Sequence, residues 1–76
     1  MSSEISINLK IRDRLRQLRA EKNLTQEKLA ELSGVDYKHI QLLESKKPPA
    51  VRIDTLEKIC KGFGLELKEF FKEGFG

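Results

Sequence analysis

TQEKLAELSGVDYKHIQLLE, Thr25 to Glu44, carries helical patterning on both sides of a central Ser33-Gly34-Val35. Each half is too short to persist as an isolated helix, because helices below roughly 12 residues are marginal in water. The break therefore serves a packing arrangement. Thr25 suits the N-cap of the first half, although Lys28 stands where a capping box has Glu or Gln. Leu29, Ala30 and Leu32 supply its buried side. Gly34 takes the left-handed conformation that ends a helix at no steric cost, and Asp36 suits the cap of the next helix, with a side chain able to accept a backbone N–H. Ile40 and Leu43 are the apolar pair of that second half, which runs to about Glu44. Two short helices cross steeply only if a small residue lets them approach, and Ala30 is placed to be that residue. With Ile40 and Leu43 turned inward, Tyr37, Lys38, Gln41 and Leu42 project outward.

Helix signals extend in both directions from this pair. Ile11, Leu15 and Leu18 recur at helical spacing and predict a first helix over about 8–22, stopped at Asn23. Lys46-Lys47-Pro48-Pro49 reads as a rigid basic loop, since the residue before each proline is driven out of the helical region. Ile53, Leu56, Ile59, Cys60 and Phe63 mark a fourth helix, stopped by Gly62 and Gly64, and Leu67, Phe70 and Phe71 mark a short fifth. The segment Ile5, Ile7, Leu9, Ile11 instead alternates with polar residues, a strand signal. Three arrangements are open to it: a loose arm, the first turn of helix one, or an edge pairing with a second chain. The expected architecture is an all-α, compact five-helix domain over residues 9–73, with an arm at 1–8 and a tail at 74–76.

Composition narrows the function classes. At 76 residues, the core must be shared among short elements or completed by a partner, so dimerisation fits the size. No apolar run approaches the roughly 20 residues of a membrane span, and the N-terminus lacks the apolar stretch of a signal peptide, so a cytoplasmic protein without a membrane partner is expected. One Cys and one His cannot supply a disulfide or the four protein ligands of a structural zinc site, and no carboxylate pair stands at a meaningful spacing. Neither a cofactor nor an enzymatic centre is expected. The charge is uneven: Lys10, Arg12, Arg14, Arg16, Arg19 and Lys22 against Asp13 and Glu21 give the segment +4, whereas the chain as a whole carries +3. That asymmetry suits a polyanion on one face.

A close crossing at Ala30, a turn at Gly34 and an anchored second helix are the geometry of a helix-turn-helix over 25–44, whose second helix lies in the DNA major groove. At these residues the chain resembles the lambda-repressor-like, or Xre-type, helix-turn-helix DNA-binding family. IRDRLRQLRAEKNLTQEKLAELSGV resembles its first two helices and turn, and TLEKICKGFGLELKEFF its fourth and fifth; Leu24-Thr25-Gln26, Ala30, Gly34, Ile40, Glu44 and Thr55-Leu56 stand in register. Arg52 and Glu66 stand where the family commonly has Ser caps.

The resemblance implies roles residue by residue. Gln26 would contact a DNA phosphate at the start of helix two. Tyr37 and Lys38, with Gln41 and Leu42, match base-reading positions: Lys donates to guanine, Gln pairs with adenine, and Tyr or Leu meets a thymine methyl. Lys46, Lys47 and His39 would face phosphates. Arg19 would pair with Glu44 and tie helix one to the recognition helix. Cys60 takes a position usually held by Ala and reads as a buried small hydrophobe.

The function expected is a transcriptional regulator, a repressor or a controller protein, that binds a palindromic operator in double-stranded DNA as a homodimer. Activation through RNA polymerase is compatible with the build, which resembles that of restriction-modification controller proteins. The alternative is an antitoxin-like module whose main partner is a toxin. Leu65, Leu67, Phe70, Phe71 and Phe75 crowd a short tail and are the expected dimer interface, placing two recognition helices about 34 Å apart.

Overall fold

The computed structural model describes residues 6–72. Ser6 opens the first helix, its Oγ accepting the Leu9 N–H at 3.3 Å, and α1 runs Ile7–Glu21. Ile7, Leu9 and Ile11 thus lie within a helix, and Ile7 and Asn8 belong to α1 rather than to an arm. Ile5 lies outside the described residues. Asn23 takes φ 55°, its N–H donating to the Ala20 carbonyl at 3.2 Å and that of Leu24 to Arg19 at 2.9 Å. These two bonds close the end of α1 in the manner of a Schellman motif.

The remaining helices are α2 (Gln26–Ser33), α3 (Tyr37–Leu43), α4 (Ile53–Phe63) and α5 (Leu67–Phe70). Thr25 caps α2 by accepting the Lys28 N–H at 3.0 Å, and Gly34, at φ 75°, ends it. Asp36 occupies the N-cap position of α3, but its side chain makes no capping hydrogen bond, so its expected role is reduced to a negative charge near the positive end of a short helix. Arg52 likewise heads α4 without a side-chain cap. At α5 the N–H of Glu66 donates to Glu69 Oε1 at 2.9 Å, so the acid three residues on satisfies the backbone of the N-cap residue.

Every helix sends residues to one core: Ile11, Leu15 and Leu18 from α1, Leu29 from α2, Ile40 and Leu43 from α3, Leu56, Ile59, Cys60 and Phe63 from α4, and Phe70 from α5. Val35 in the turn joins them. Leu32 and Ile53, both expected on apolar stripes, are instead exposed. Leu32 lies one residue before the last of α2 and Ile53 is the first residue of α4, so both stand at helix ends, where no neighbouring element packs over them. Burial pushes the Cys60 thiol up to about 11, with Glu57 adding to the effect and Arg14 opposing it. The thiol is therefore protonated and unreactive near neutral pH.

Gly62 has a different role from the expected stop. It lies inside α4, and a Cβ there would stand 3.0 Å from Ser33 Cβ, 3.1 Å from the Ser33 backbone nitrogen and 3.2 Å from Ser33 Cα. The missing side chain is what lets α4 run against the end of α2. Gly64, at φ 76°, is the actual stop.

Two arginines of α1 tie distant elements together. Arg14 donates to the carbonyls of Phe70 at 2.8 Å and Glu69 at 2.9 Å, capping the C-terminal end of α5 from across the fold. Arg19 grips Glu44, the C-cap of α3, through Nε to Oε2 and Nη2 to Oε1, both 2.7 Å, while its Nη1 donates to the Leu24 carbonyl at 2.9 Å. Gln26 Nε2 adds a third donor to the same carboxylate at 3.1 Å. The Glu44 side chain is only 2% exposed and that of Arg19 21%. The Arg19 pKa stands above its ordinary value because of the hydrogen bonds to Glu44, burial opposing and the Glu44 charge assisting. One carboxylate with three side-chain donors thus joins α1, α2 and α3.

Two stability outcomes follow from this packing. Gly62→Val is expected to destabilise the domain by at least about 2 kcal/mol, because the contacts it invades are backbone and Cβ atoms that cannot swing aside; denaturant titration checks this, and an unchanged midpoint would mean that α2 and α4 separate freely. Arg19→Met is expected to cost about 3 kcal/mol by leaving a buried carboxylate short of its main partner. In a thermodynamic cycle with Glu44→Leu, the double variant should recover at least about 1 kcal/mol of the summed losses. Additive losses would rule out coupling.

Candidate nucleic-acid interface

The outward face of α3 follows from what is fixed inward. Ile40, Leu43 and the adjoining Glu44 are buried, so at about 100° per residue Tyr37, Gln41, Lys38 and Leu42 fall on one continuous arc of roughly 140°. All four are exposed. Leu42 is 57% exposed despite its apolar side chain, which leaves it available to an apolar contact such as a thymine methyl. His39 flanks this arc and is half-buried.

Electrostatics favour an anion on this side. Glu44 sits at the base of α3 and would repel a phosphate if unpaired, but Arg19 neutralises it and Gln26 satisfies its remaining valence. Lys46 and Lys47 follow at once in the loop after α3, both exposed. Gln26 is half-buried, and one of its amide N–H groups is committed to Glu44, a bond that sequence reading did not anticipate. It is a structural link as well as a candidate phosphate ligand.

Three of the five basic residues of α1 turn toward the protein. Arg14 and Arg19 are tethered as described, and Arg12 Nη1 donates to the carbonyls of Ser45 at 3.4 Å and Lys46 at 3.2 Å. The basic run of α1 is therefore largely scaffolding rather than an anion-binding face. Arg12 was legible only as a charge; its acceptors lie more than thirty residues away and are backbone atoms, which no side-chain pattern reveals.

The expected assembly residues divide. Phe70 is fully buried in the core of its own chain, so it closes the monomer and offers no surface to a second copy. Leu65, Leu67 and Phe71 are half-buried against that core, with Phe71 edge-on to Phe70 at a ring-centroid distance of 5.1 Å. Phe75 lies outside the described residues. Among the described residues there is no group of three or more His, Cys, Asp or Glu able to hold a metal, and no helix is long and apolar enough to cross a membrane.

Comparison with known proteins agrees with this geometry. The crystal structure of the wild-type restriction-modification controller protein C.Esp1396I superposes with a TM-score of 0.81 at 32% identity, covering 91% of this chain and 87% of that one. The HTH-type transcriptional regulators PuuR of Escherichia coli K12 and of Shigella flexneri are each 44% identical over 61 residues, which is 79% of this chain. The chain spans about a third of the length of these curated relatives, 32%. Residues 14–72 match the model of the Cro/C1-type HTH DNA-binding domain, and the chain belongs to that family.

Proposed function

We propose that this domain binds a palindromic operator in double-stranded DNA as a homodimer in the cytoplasm and thereby regulates transcription. The observation that carries the reading is the exposed arc of Tyr37, Lys38, Gln41 and Leu42 on a helix whose opposite side is pinned by Ile40, Leu43 and Glu44. A helix fixed in this way enters the major groove with one orientation, and its side chains meet base edges in a constant register. Lys38 supplies donors for guanine O6 and N7, Gln41 can bond adenine bidentately, and Tyr37 and Leu42 offer apolar surface to thymine.

Phosphate contacts flank the arc. Lys46 and Lys47 suit the backbone beyond the end of α3, and His39 its near side. Gln26 keeps one amide N–H for a phosphate oxygen while the other holds Glu44. Two copies are required for palindromic readout, and the half-buried Leu65, Leu67 and Phe71 form the surface best suited to join them. A two-fold axis there would set the recognition helices one turn of B-DNA apart, about 34 Å.

Selection of bound sequences from a random DNA pool is the decisive test, and a two-fold symmetric site is the expected product. On that site, changing Tyr37, Lys38, Gln41 or Leu42 to Ala should cost about 1 to 3 kcal/mol and relax preference at one position of each half-site. Lys46→Ala and Lys47→Ala should weaken operator and variant sites alike; uniform losses from the α3 variants as well would reduce this helix to a phosphate grip. For assembly, the protein should sediment as a dimer at micromolar concentration, and Phe71→Glu as a folded monomer with operator binding impaired. A wild type that stays monomeric both free and on operator would end the dimer reading.

A further inference from the structure

Arg12 and Arg19 stand seven residues apart on α1, about two helical turns, and therefore share a face. Both reach the C-terminal end of the recognition helix, and they hold three consecutive residues there. Arg19 takes the carboxylate of Glu44, and Arg12 Nη1 takes the backbone carbonyls of Ser45 and Lys46 at 3.4 and 3.2 Å. Arg12 Nε donates to Asp13 Oδ1 at 2.9 Å, which sets the plane of the guanidinium, and the side chain is only 20% exposed. A planar fork of fixed donors suits a pair of adjacent carbonyls in a way that a single flexible ammonium does not.

The held segment is short and otherwise lightly tied. Ser45 returns its N–H and its hydroxyl to the Leu42 carbonyl, at 3.1 and 2.6 Å, and Val51 packs on the core at the far end of the loop. Between them stand Lys46 and Lys47, exposed and followed by two prolines. A lysine side chain is long and mobile, so where its ammonium acts depends on where its backbone is fixed. The Arg12 clasp also draws the partial negative charge of two carbonyls inward against a cation.

We infer that Arg12 is a positioning residue for DNA binding: without touching DNA, it fixes the Ser45–Lys46 backbone so that Lys46 and Lys47 lie along the phosphates beside the groove entered by α3. The inference rests on the DNA-binding reading above and adds to it a residue that acts only through others.

The experiment is a cycle of full-length variants on the selected operator, with affinity measured over a range of KCl concentrations. Arg12→Met is expected to weaken binding about ten-fold in the wild-type background, but less than about two-fold when Lys46 and Lys47 are already Ala, because its effect passes through them. Arg16→Met, which removes an equal charge from an exposed position on α1, should change affinity less than about two-fold. Arg12→Lys keeps the charge and most of the stem; it should lose about three-fold, again only while Lys46 and Lys47 are present, and it stands in if the Met variant does not fold. An Arg12 penalty that persists in the Lys46→Ala/Lys47→Ala background, with the salt slope falling by about one further unit, would make Arg12 a direct phosphate ligand and overturn the inference. A wild type that binds no DNA would instead sink the reading beneath it.

Discussion

Glu44 is the acid on which the placement of the recognition helix depends. Its carboxylate is almost wholly buried, and a buried charge of that kind is tolerated only when its acceptor sites are filled by oriented donors. Arg19 fills them from α1 and Gln26 from α2, so the requirement of a single carboxylate fixes three helices at once. A buried ion pair is weak evidence of stability, since an apolar substitute of equal volume often packs as well. What it supplies is orientation: two parallel bonds of 2.7 Å resist rotation of α3 about its own axis, which greasy contacts between Ile40, Leu43 and their neighbours resist less well.

Orientation matters because α2 and α3 are too short to hold their own shape. With eight and seven residues they are below the length at which propensity sustains a helix, so their geometry is a property of the packing around them. Close approach is what that packing uses. Gly62 admits the end of α2 against α4, Gly34 and Gly64 reverse the chain through left-handed φ, and Arg14 and Arg12 tie α5 and the loop after α3 back to α1. Rigid presentation of a small reading surface thus comes from glycines that remove atoms and arginines that reach across the gaps.

Much of this was legible in the sequence, and the part that was not has a common cause. Thr25, Gly34, Asn23 and Gly64 act through bonds to residues at most five away, so local pattern sufficed to place the helix ends. The alternation through Ile7, Leu9 and Ile11 left three arrangements open, and for Ile7 onward the structure has the first turns of helix one, capped by Ser6. Leu32 and Ile53 were assigned to apolar stripes by spacing, but spacing does not say whether a partner element extends far enough to cover them. Phe70 reads equally well as core or as interface until its depth is known. Gly62 looks like a helix stop in one dimension and is a contact point in three. In the site, the arc of α3 was legible from the inward pair Ile40 and Leu43, whereas the bond from Gln26 to Glu44 and the reach of Arg12 to backbone carbonyls were not, because side-chain type does not encode a non-local acceptor.

The same distinction changes what the charge of the chain means. Counted along the sequence, α1 is the most basic segment and would be the first candidate for a polyanion-binding face. In the fold, Arg12, Arg14 and Arg19 spend their donors on a loop, a helix end and a buried acid, each geometrically fixed and partly withdrawn from solvent. A guanidinium engaged in this way still contributes to the long-range field that draws DNA, but it releases no counterion from a phosphate it does not reach. Near α3 the exposed cations are Lys38, Lys46 and Lys47. Arg12 and Arg19 hold residues 44–46 at the end of α3 and Arg14 holds α5, so the charge of α1 is spent on joining elements, while Lys38, Lys46 and Lys47 keep theirs exposed.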